Sequence, residues 1–217
     1  MSVRELRDLG VSLRSAVGAP PASAWERLIV AARDQALLDV AFSFTDSPFG
    51  PLLVATTGNG LVRLAYPNEH PDEVLQELAD RVSPRVLESP AETDEVRREL
   101  DEYFDGRRRD FDVGVDLALV RGSFTRTVLE AAERIPFGHV ITYKEIATEA
   151  GSPRGARAAG NALGSNPIPI VVPCHRVVHA GGGLGGYTGG LSRKVTLLTL
   201  EGALPGSAAA VGVEGAR

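Results

Sequence analysis

Cys174 is the only cysteine in the 217-residue chain, and His175 and Arg176 follow it directly. A thiol attacks as the thiolate, and at an ordinary pKa of ~8.5 only a few per cent is ionised at neutral pH. An adjacent base or cation raises that fraction, so Pro173-Cys174-His175-Arg176 has the residue types of an activated nucleophile. Pro173 stiffens the chain before the thiol, because its ring fixes φ and it has no amide donor. The run before it, Ile168 to Val172, argues the other way: a lone cysteine after β-branched residues is commonly an inert core residue. Neighbours on a strand point to opposite faces. His175 therefore reaches the thiol only if the strand ends there or a water bridges them.

Other chemistries find less support. One cysteine permits no internal disulfide and no cysteine-rich zinc site, and it fits a reducing compartment. A Cys174/His175/His179 metal site lacks a further obvious ligand, so no metal is expected. The glycine-rich stretch 181–190 matches a dinucleotide fingerprint only through its richness. Tyr187-Thr188-Gly189-Gly190 follows where a βαβ unit would be needed. A backbone loop that closes on a flat ligand is the better use of these glycines.

Elements must hold these residues in place. Phe124, Val128, Leu129 and Ala132 mark a helix that Pro136 stops. Thr142 and Glu145 form a capping box for a short helix, Tyr143 to Ala150. A glycine-containing turn leads to a second helix, Gly155 to Leu163, built of small residues with Arg157 and Asn161. Two short helices joined this way fit a helix-turn-helix, and an ordinary tightly packed core helix is the alternative. The last helix, Leu191 to Leu200, presents Leu191, Val195 and Leu198 inward. Glu201 sits at its C-terminal end, where the helix dipole disfavours an acid. It is either a frayed surface residue or a partner that orients a histidine.

The first half reads as a scaffold. Residues 1–38 suggest one or two short helices, broken at Gly18-Ala19-Pro20-Pro21 and carrying Trp25, Leu28 and Ile29, with no chemistry apparent. Val40 to Phe44 alternates as a strand does. Two further strands, 52–56 and 61–65, flank a Gly58-Asn59-Gly60 turn. Helices follow from Pro71 (Val74, Leu75, Leu78 and Val82 on one face) and from Ser89 to Phe104. Arg107-Arg108-Arg109 among acids reads as a solvated turn. Residues 1–120 carry 13 Lys/Arg against 22 Asp/Glu, whereas residues 121–201 carry 9 against 5. The acidic chain thus has a basic C-terminal half able to bind phosphate locally, since screening limits distant charge to about 8–10 Å. No stretch approaches the ~20 apolar residues of a membrane span, and the N-terminus lacks a signal-peptide core.

Pro173-Cys174-His175-Arg176-Val177-Val178 resembles the active-site signature of the O6-alkylguanine-DNA alkyltransferases, also called methylated-DNA–protein-cysteine methyltransferases. The likeness extends in register to Tyr143, Arg157, Asn166-Pro167, Gly186 to Leu191, Lys194 and Glu201-Gly202. It covers about 121–202 strongly and about 40–120 more loosely. It implies a two-domain α/β (α+β) chain. An extension at 1–38 would precede a small α/β domain with a hairpin-containing sheet at 39–120. A mostly helical, winged-helix-like DNA-binding and alkyl-transfer domain would follow at 121–204, then a flexible tail at 205–217.

The resemblance also implies residue roles. Cys174 takes the alkyl group from O6-alkylguanine in duplex DNA, and possible activity extends to O4-alkylthymine. Glu201 orients His175, which accepts the thiol proton through a water. Asn166 ties the helix-turn-helix to the cysteine turn. Tyr143 rotates the target phosphate and protonates the leaving guanine. Arg157 fills the vacated stack while Ala156, Ala158 and Gly160 let the helix lie in the minor groove. The backbones of Cys174 and Val177 read the base edge, with Tyr187, Thr188 and Lys194 at the pocket. No cofactor is needed, each molecule acts once, and the expected state is a cytoplasmic monomer, nucleoid-associated if the source is prokaryotic, with cooperative assembly on DNA as the variation. Departures from the family pattern are Leu129 for tryptophan, Gly164 for arginine, and no zinc cysteines. Rival readings are a binding protein of the same architecture that recognises alkylated bases without repairing them, its cysteine replaced, a thiol hydrolase using Cys174 and His175 in another fold, and a plain DNA-binding regulator with a structural cysteine.

Overall fold

In a computed structural model, the described residues are 38–204, preceded by Arg27 and Ala31 alone. Contacts divide the chain into Met1–Leu38 and Asp39–Arg217, and all that follows concerns the second unit. The expectations for 1–38 and for the tail from 205 fall outside the described residues, Arg27, Ala31 and Leu38 aside.

Strands β1 (Val40–Thr45), β2 (Leu52–Thr57) and β3 (Gly60–Ala65) form an antiparallel meander. Helix α1 (Pro71–Arg81) returns the chain to β4 (Val86–Glu88), which pairs in parallel with β1 and gives the order β3-β2-β1-β4. The sequence reading missed β4, because three residues are too few to show a period. Pro90–Thr93 then forms a 3-10 turn before α2 (Asp94–Phe104), so the helix expected from Ser89 starts later.

Both faces of this sheet are covered. Leu53, Ala55, Val62 and Ala65 pack with Val74 and Leu78 of α1. Leu52, Val54, Leu61 and Leu64 turn to the main core with Leu100 and Tyr103 of α2. Alternate residues of β2 thus go to opposite faces, β3 serves both faces across a register shift opposite Ala55/Thr56, and both faces are buried, which is why the two strands read as nearly continuous apolar runs. Two of the three arginines after α2 pair with acids, Arg107 with Asp105 at 2.8 Å and Arg108 with Glu102 at 2.8 Å and Asp112 at 2.9 Å, whereas Arg109 lies over the Phe137 ring at 5.6 Å.

The main core continues into the helical half. It holds α3 (Ser123–Glu133), α4 (Tyr143–Glu149), α5 (Ala156–Gly164) and α6 (Leu191–Leu200). Leu129 is wholly buried there. Two short strands, β5 (Ile141–Thr142) and β6 (Val177–Val178), pair in parallel beside α4. The inward face of α6 differs from expectation. Leu191 is 53% exposed, and the buried positions are Lys194, Leu197 and Leu198. They share a face at i, i+3 and i+4, and a lysine can join it because its ammonium finds carbonyl partners inside. No helix among the described residues is long and apolar enough to cross a membrane.

Candidate active site

The thiol does not sit on a strand. Residues 168–172 are irregular, and Cys174–Arg176 forms one 3-10 turn. Ile170 has φ +76°, unusual for a β-branched residue and costing about 1–3 kcal/mol. Asn166 holds this loop in shape. Its Nδ2 donates to the Val172 carbonyl at 2.8 Å, and its Oδ1 accepts from the Ile168 amide at 3.0 Å. The same Nδ2 lies 3.1 Å from Cys174 Sγ. One side chain therefore ties the end of α5 to the nucleophile.

The turn also separates Cys174 from its neighbour. His175 is wholly buried and its Nε2 lies 2.9 Å from Glu201 Oε1. Glu201 accepts further bonds from Arg176 (2.9 and 2.8 Å) and Tyr103 (2.8 Å). Burial raises the Glu201 carboxyl, but the bonds from His175 and Arg176 outweigh it and hold it at about 2. An ionised carboxylate only accepts, so His175 Nε2 carries the proton and Nδ1 is left as an acceptor. Nδ1 is buried with no hydrogen-bond partner among the described residues. Burial also lowers the His175 pKa, against the pull of Glu201, and keeps the ring neutral.

Cys174 is equally desolvated. Burial pushes its thiol up to about 11, although the Asn166 bond and the Lys194 charge act the other way. The resting sulfur is therefore a thiol, whose proton must be removed as the reaction proceeds. Lys194 is buried, with Nζ 2.6 Å from the Val177 carbonyl and 3.4 Å from that of Gly186. Burial brings its pKa down to about 8.

Cys174 opens on a cleft of about 660 Å³. Of the residues singled out in the sequence, Tyr143, Ala156, Arg157, Gly160, Tyr187 and Thr188 line it with Cys174. Asn166, His175, Glu201 and Lys194 support it from within the protein. Ala158 is exposed on α5 but is not part of the lining. Val177 does not line it either: its side chain is fully buried, its amide bonds the Cys174 carbonyl, and its own carbonyl is taken by Lys194. The capping box of α4 is complete, with the Glu145 amide on Thr142 Oγ1 at 3.2 Å and the Thr142 amide on Glu145 Oε2 at 2.6 Å. It aims Tyr143, the first residue of the helix, into the cleft. Gly185 has φ +71°, and a Cβ there would come within 2.5 Å of Tyr143 Oη, so only glycine lets the loop pass so close.

Sequence reasoning weighed His179 only as a metal ligand, yet its ring lies 5.0 Å from that of Tyr143, tilted by 46°, and lines the cleft; Gly186 of the expected glycine loop lines it too, while Leu163 and Gly164 were missed as lining. It also missed Tyr103 as a partner of Glu201. Tyr103 lies 98 positions away, and no spacing rule connects residues so far apart. Among the described residues no group of three or more His, Cys, Asp or Glu side chains could hold a metal ion.

Known proteins resemble this chain over most of its length. Residues 40–117 match the 6-O-methylguanine DNA methyltransferase, ribonuclease-like domain, and residues 123–203 match the DNA binding domain of the same family. A methylated-DNA–protein-cysteine methyltransferase of Mycobacterium bovis is 41% identical over 157 residues, 72% of this chain and 88% of the relative. One of Methanosarcina acetivorans is 40% identical over 161 residues, 74% of this chain and 97% of the relative. The crystal structure of Mycobacterium tuberculosis OGT in complex with DNA superposes with a TM-score of 0.65 at 37% identity, covering 78% of this chain and 96% of that one. From its sheet domain to its cysteine turn, the chain belongs to the 6-O-methylguanine DNA methyltransferase family.

Proposed function

We propose that this protein repairs DNA by direct reversal, moving the alkyl group of O6-alkylguanine onto its own Cys174. One observation carries the reading. The nucleophile and Arg157, an exposed cation on the second helix of a helix-turn-helix, line the same cleft. A duplex held by that helix would therefore present an extruded base to the thiol.

The target base is stacked in the duplex, so it must be flipped out at a cost of on the order of a few kcal/mol. Arg157 enters the vacated stack. Ala156, Ala158 and Gly160 keep the helix surface low enough for the minor groove, which carries little sequence code and suits lesion scanning. Lys144 and Arg154 are also exposed near this surface in sequence and add charge for phosphate.

In the cleft, His175 Nδ1 takes the Cys174 proton through a water while Glu201 steadies the imidazolium that forms. The Asn166 amide and Lys194 stabilise the developing thiolate. Sulfur forms a bond to the alkyl carbon, and the carbon–O6 bond breaks with its electron pair going to the guanine. Tyr143, whose pKa burial raises, supplies the proton that neutralises the ring. The products are S-alkylcysteine and guanine in DNA. The thioether does not revert, so each molecule acts once, with no cofactor. The proposed working form is a cytoplasmic monomer; cooperative assembly on DNA and activity on O4-alkylthymine are extensions of the same reading.

The test is intact mass after incubation with duplex containing O6-methylguanine, followed by peptide mapping. One methyl on Cys174, saturating at one per protein, is expected. Tight lesion-dependent binding without an adduct would make the protein a recognition module instead.

A further inference from the structure

Tyr187 lines the cleft beside Cys174, and its hydroxyl bonds that of Tyr66, 121 positions earlier, at 2.7 Å. Tyr66 follows β3 directly and belongs to the sheet domain, where it is 3% exposed. The two rings meet edge to face, 6.3 Å between centres. Burial raises both phenols, so the contact is a neutral hydrogen bond with one donor and one acceptor.

Tyr66 is itself held firmly. Phe49 meets it edge-on at 5.9 Å, and the Arg193 guanidinium lies 4.6 Å from its ring centre. Arg193 also donates to Asn68 Oδ1 at 2.6 Å and to the Gly189 carbonyl at 2.5 Å. A Cβ at Gly189 would fall 2.6 Å from Tyr66 and 2.8 Å from Tyr187, so the loop backbone lies against both rings. The sheet domain thus clamps the loop that forms one wall of the cleft.

A second cavity, of about 180 Å³, is lined by Tyr66 and Asn166 and shares Gly164 and Thr188 with the cleft. The tyrosine pair is part of the partition between them. We propose that Tyr66 is a positioning residue that fixes Tyr187 as a wall of the alkyl-accepting end of the cleft, and so sets the largest alkyl group the protein accepts. This rests on the alkyl-transfer reading above. A pocket discriminates between alkyl groups by the volume it offers, and truncating Tyr66 would free the space of its own ring and open the near side of the second cavity, whose other lining includes Arg63, Glu69, Glu77 and Arg81.

The experiment compares second-order rates of Cys174 alkylation, read by intact mass, on short duplexes carrying O6-methylguanine or O6-benzylguanine. In Tyr66→Ala the benzyl-to-methyl rate ratio should rise about tenfold over wild type. In Tyr66→Phe, which keeps the ring and loses the bond, it should rise about threefold. A merely structural role would slow both substrates alike, and ratios within about 1.5-fold of wild type in the soluble variants overturn the proposal. Should Tyr66→Ala fail to fold, the Tyr66→Phe ratio alone decides by the same criterion. Wild-type protein that accepts neither alkyl group overturns the functional reading and this inference with it, an outcome distinct from normal transfer with an unchanged ratio.

Discussion

Arg176 holds both carboxylate oxygens of Glu201, Nε to Oε2 at 2.9 Å and Nη2 to Oε1 at 2.8 Å. Its remaining nitrogen, Nη1, donates to the Ile135 carbonyl at 2.5 Å. The arginine beside the nucleophile therefore points away from it and neutralises the acid that orients His175. Removing one partner of a buried ion pair leaves the other charge stranded, at about 3–5 kcal/mol. Arg176→Met should lose that much stability in urea unfolding. Tyr103→Phe, which deletes one of several bonds to the carboxylate, should lose only about 1 kcal/mol. Equal, small losses would mean the guanidinium contributes no more than an ordinary hydrogen bond.

The same carboxylate sets an acid limit. Its folded pKa of about 2 lies below the ordinary 4.5, so the stabilisation it brings is present above about 4.5 and disappears as pH falls through about 2. Urea midpoints of the wild type should fall across that window. Those of Glu201→Gln, already lower at neutral pH, should fall less steeply. Parallel curves for the two proteins would place the titration elsewhere.

Much of this was legible in the sequence where the chemistry is local. The Thr142–Glu145 capping box spans three residues and formed as read. The hairpin between β2 and β3 is set by its glycine-containing turn. The inward face of α6 was misread because Lys194 counts as polar until the carbonyls of Val177 and Gly186 are seen around it. Ile168 to Val172 looks like a strand by composition, yet Asn166 imposes an irregular loop with Ile170 at positive φ, and no periodicity rule anticipates that. The Tyr66–Tyr187 and Tyr103–Glu201 bonds cross from the sheet domain to the helical one, and only the packing reveals such pairs.

Asn166 supports both the loop and the sulfur, so its loss should show in thiol chemistry. A thiol at about 11 should react with iodoacetamide at a rate that climbs with pH up to that value, instead of levelling near 9. Asn166→Ala removes a donor that favours the thiolate, which should move the profile further upward and slow alkyl transfer by about tenfold or more. Circular dichroism melts would report the accompanying loop damage separately. A variant with an unshifted thiol profile would limit Asn166 to holding the loop.

Arg157 and Cys174 line one cleft but act at different stages, and two substrates can separate them. The arginine is exposed and supports the extruded base from the helix, whereas the cysteine is 4% exposed and does the chemistry. In duplex DNA, extrusion of the base adds to the barrier, and each 1.36 kcal/mol there is about tenfold in rate. Free O6-benzylguanine skips that step. Arg157→Ala should therefore slow repair of duplex by about tenfold or more while leaving transfer from the free base within about twofold of wild type. Cys174→Ala should abolish transfer from both and still bind duplex, with an affinity that weakens as salt rises because phosphate contacts release counterions. If Arg157→Ala slowed both substrates equally, the residue would be shaping the cleft itself, and the stack-filling role would have to pass to another side chain on α5.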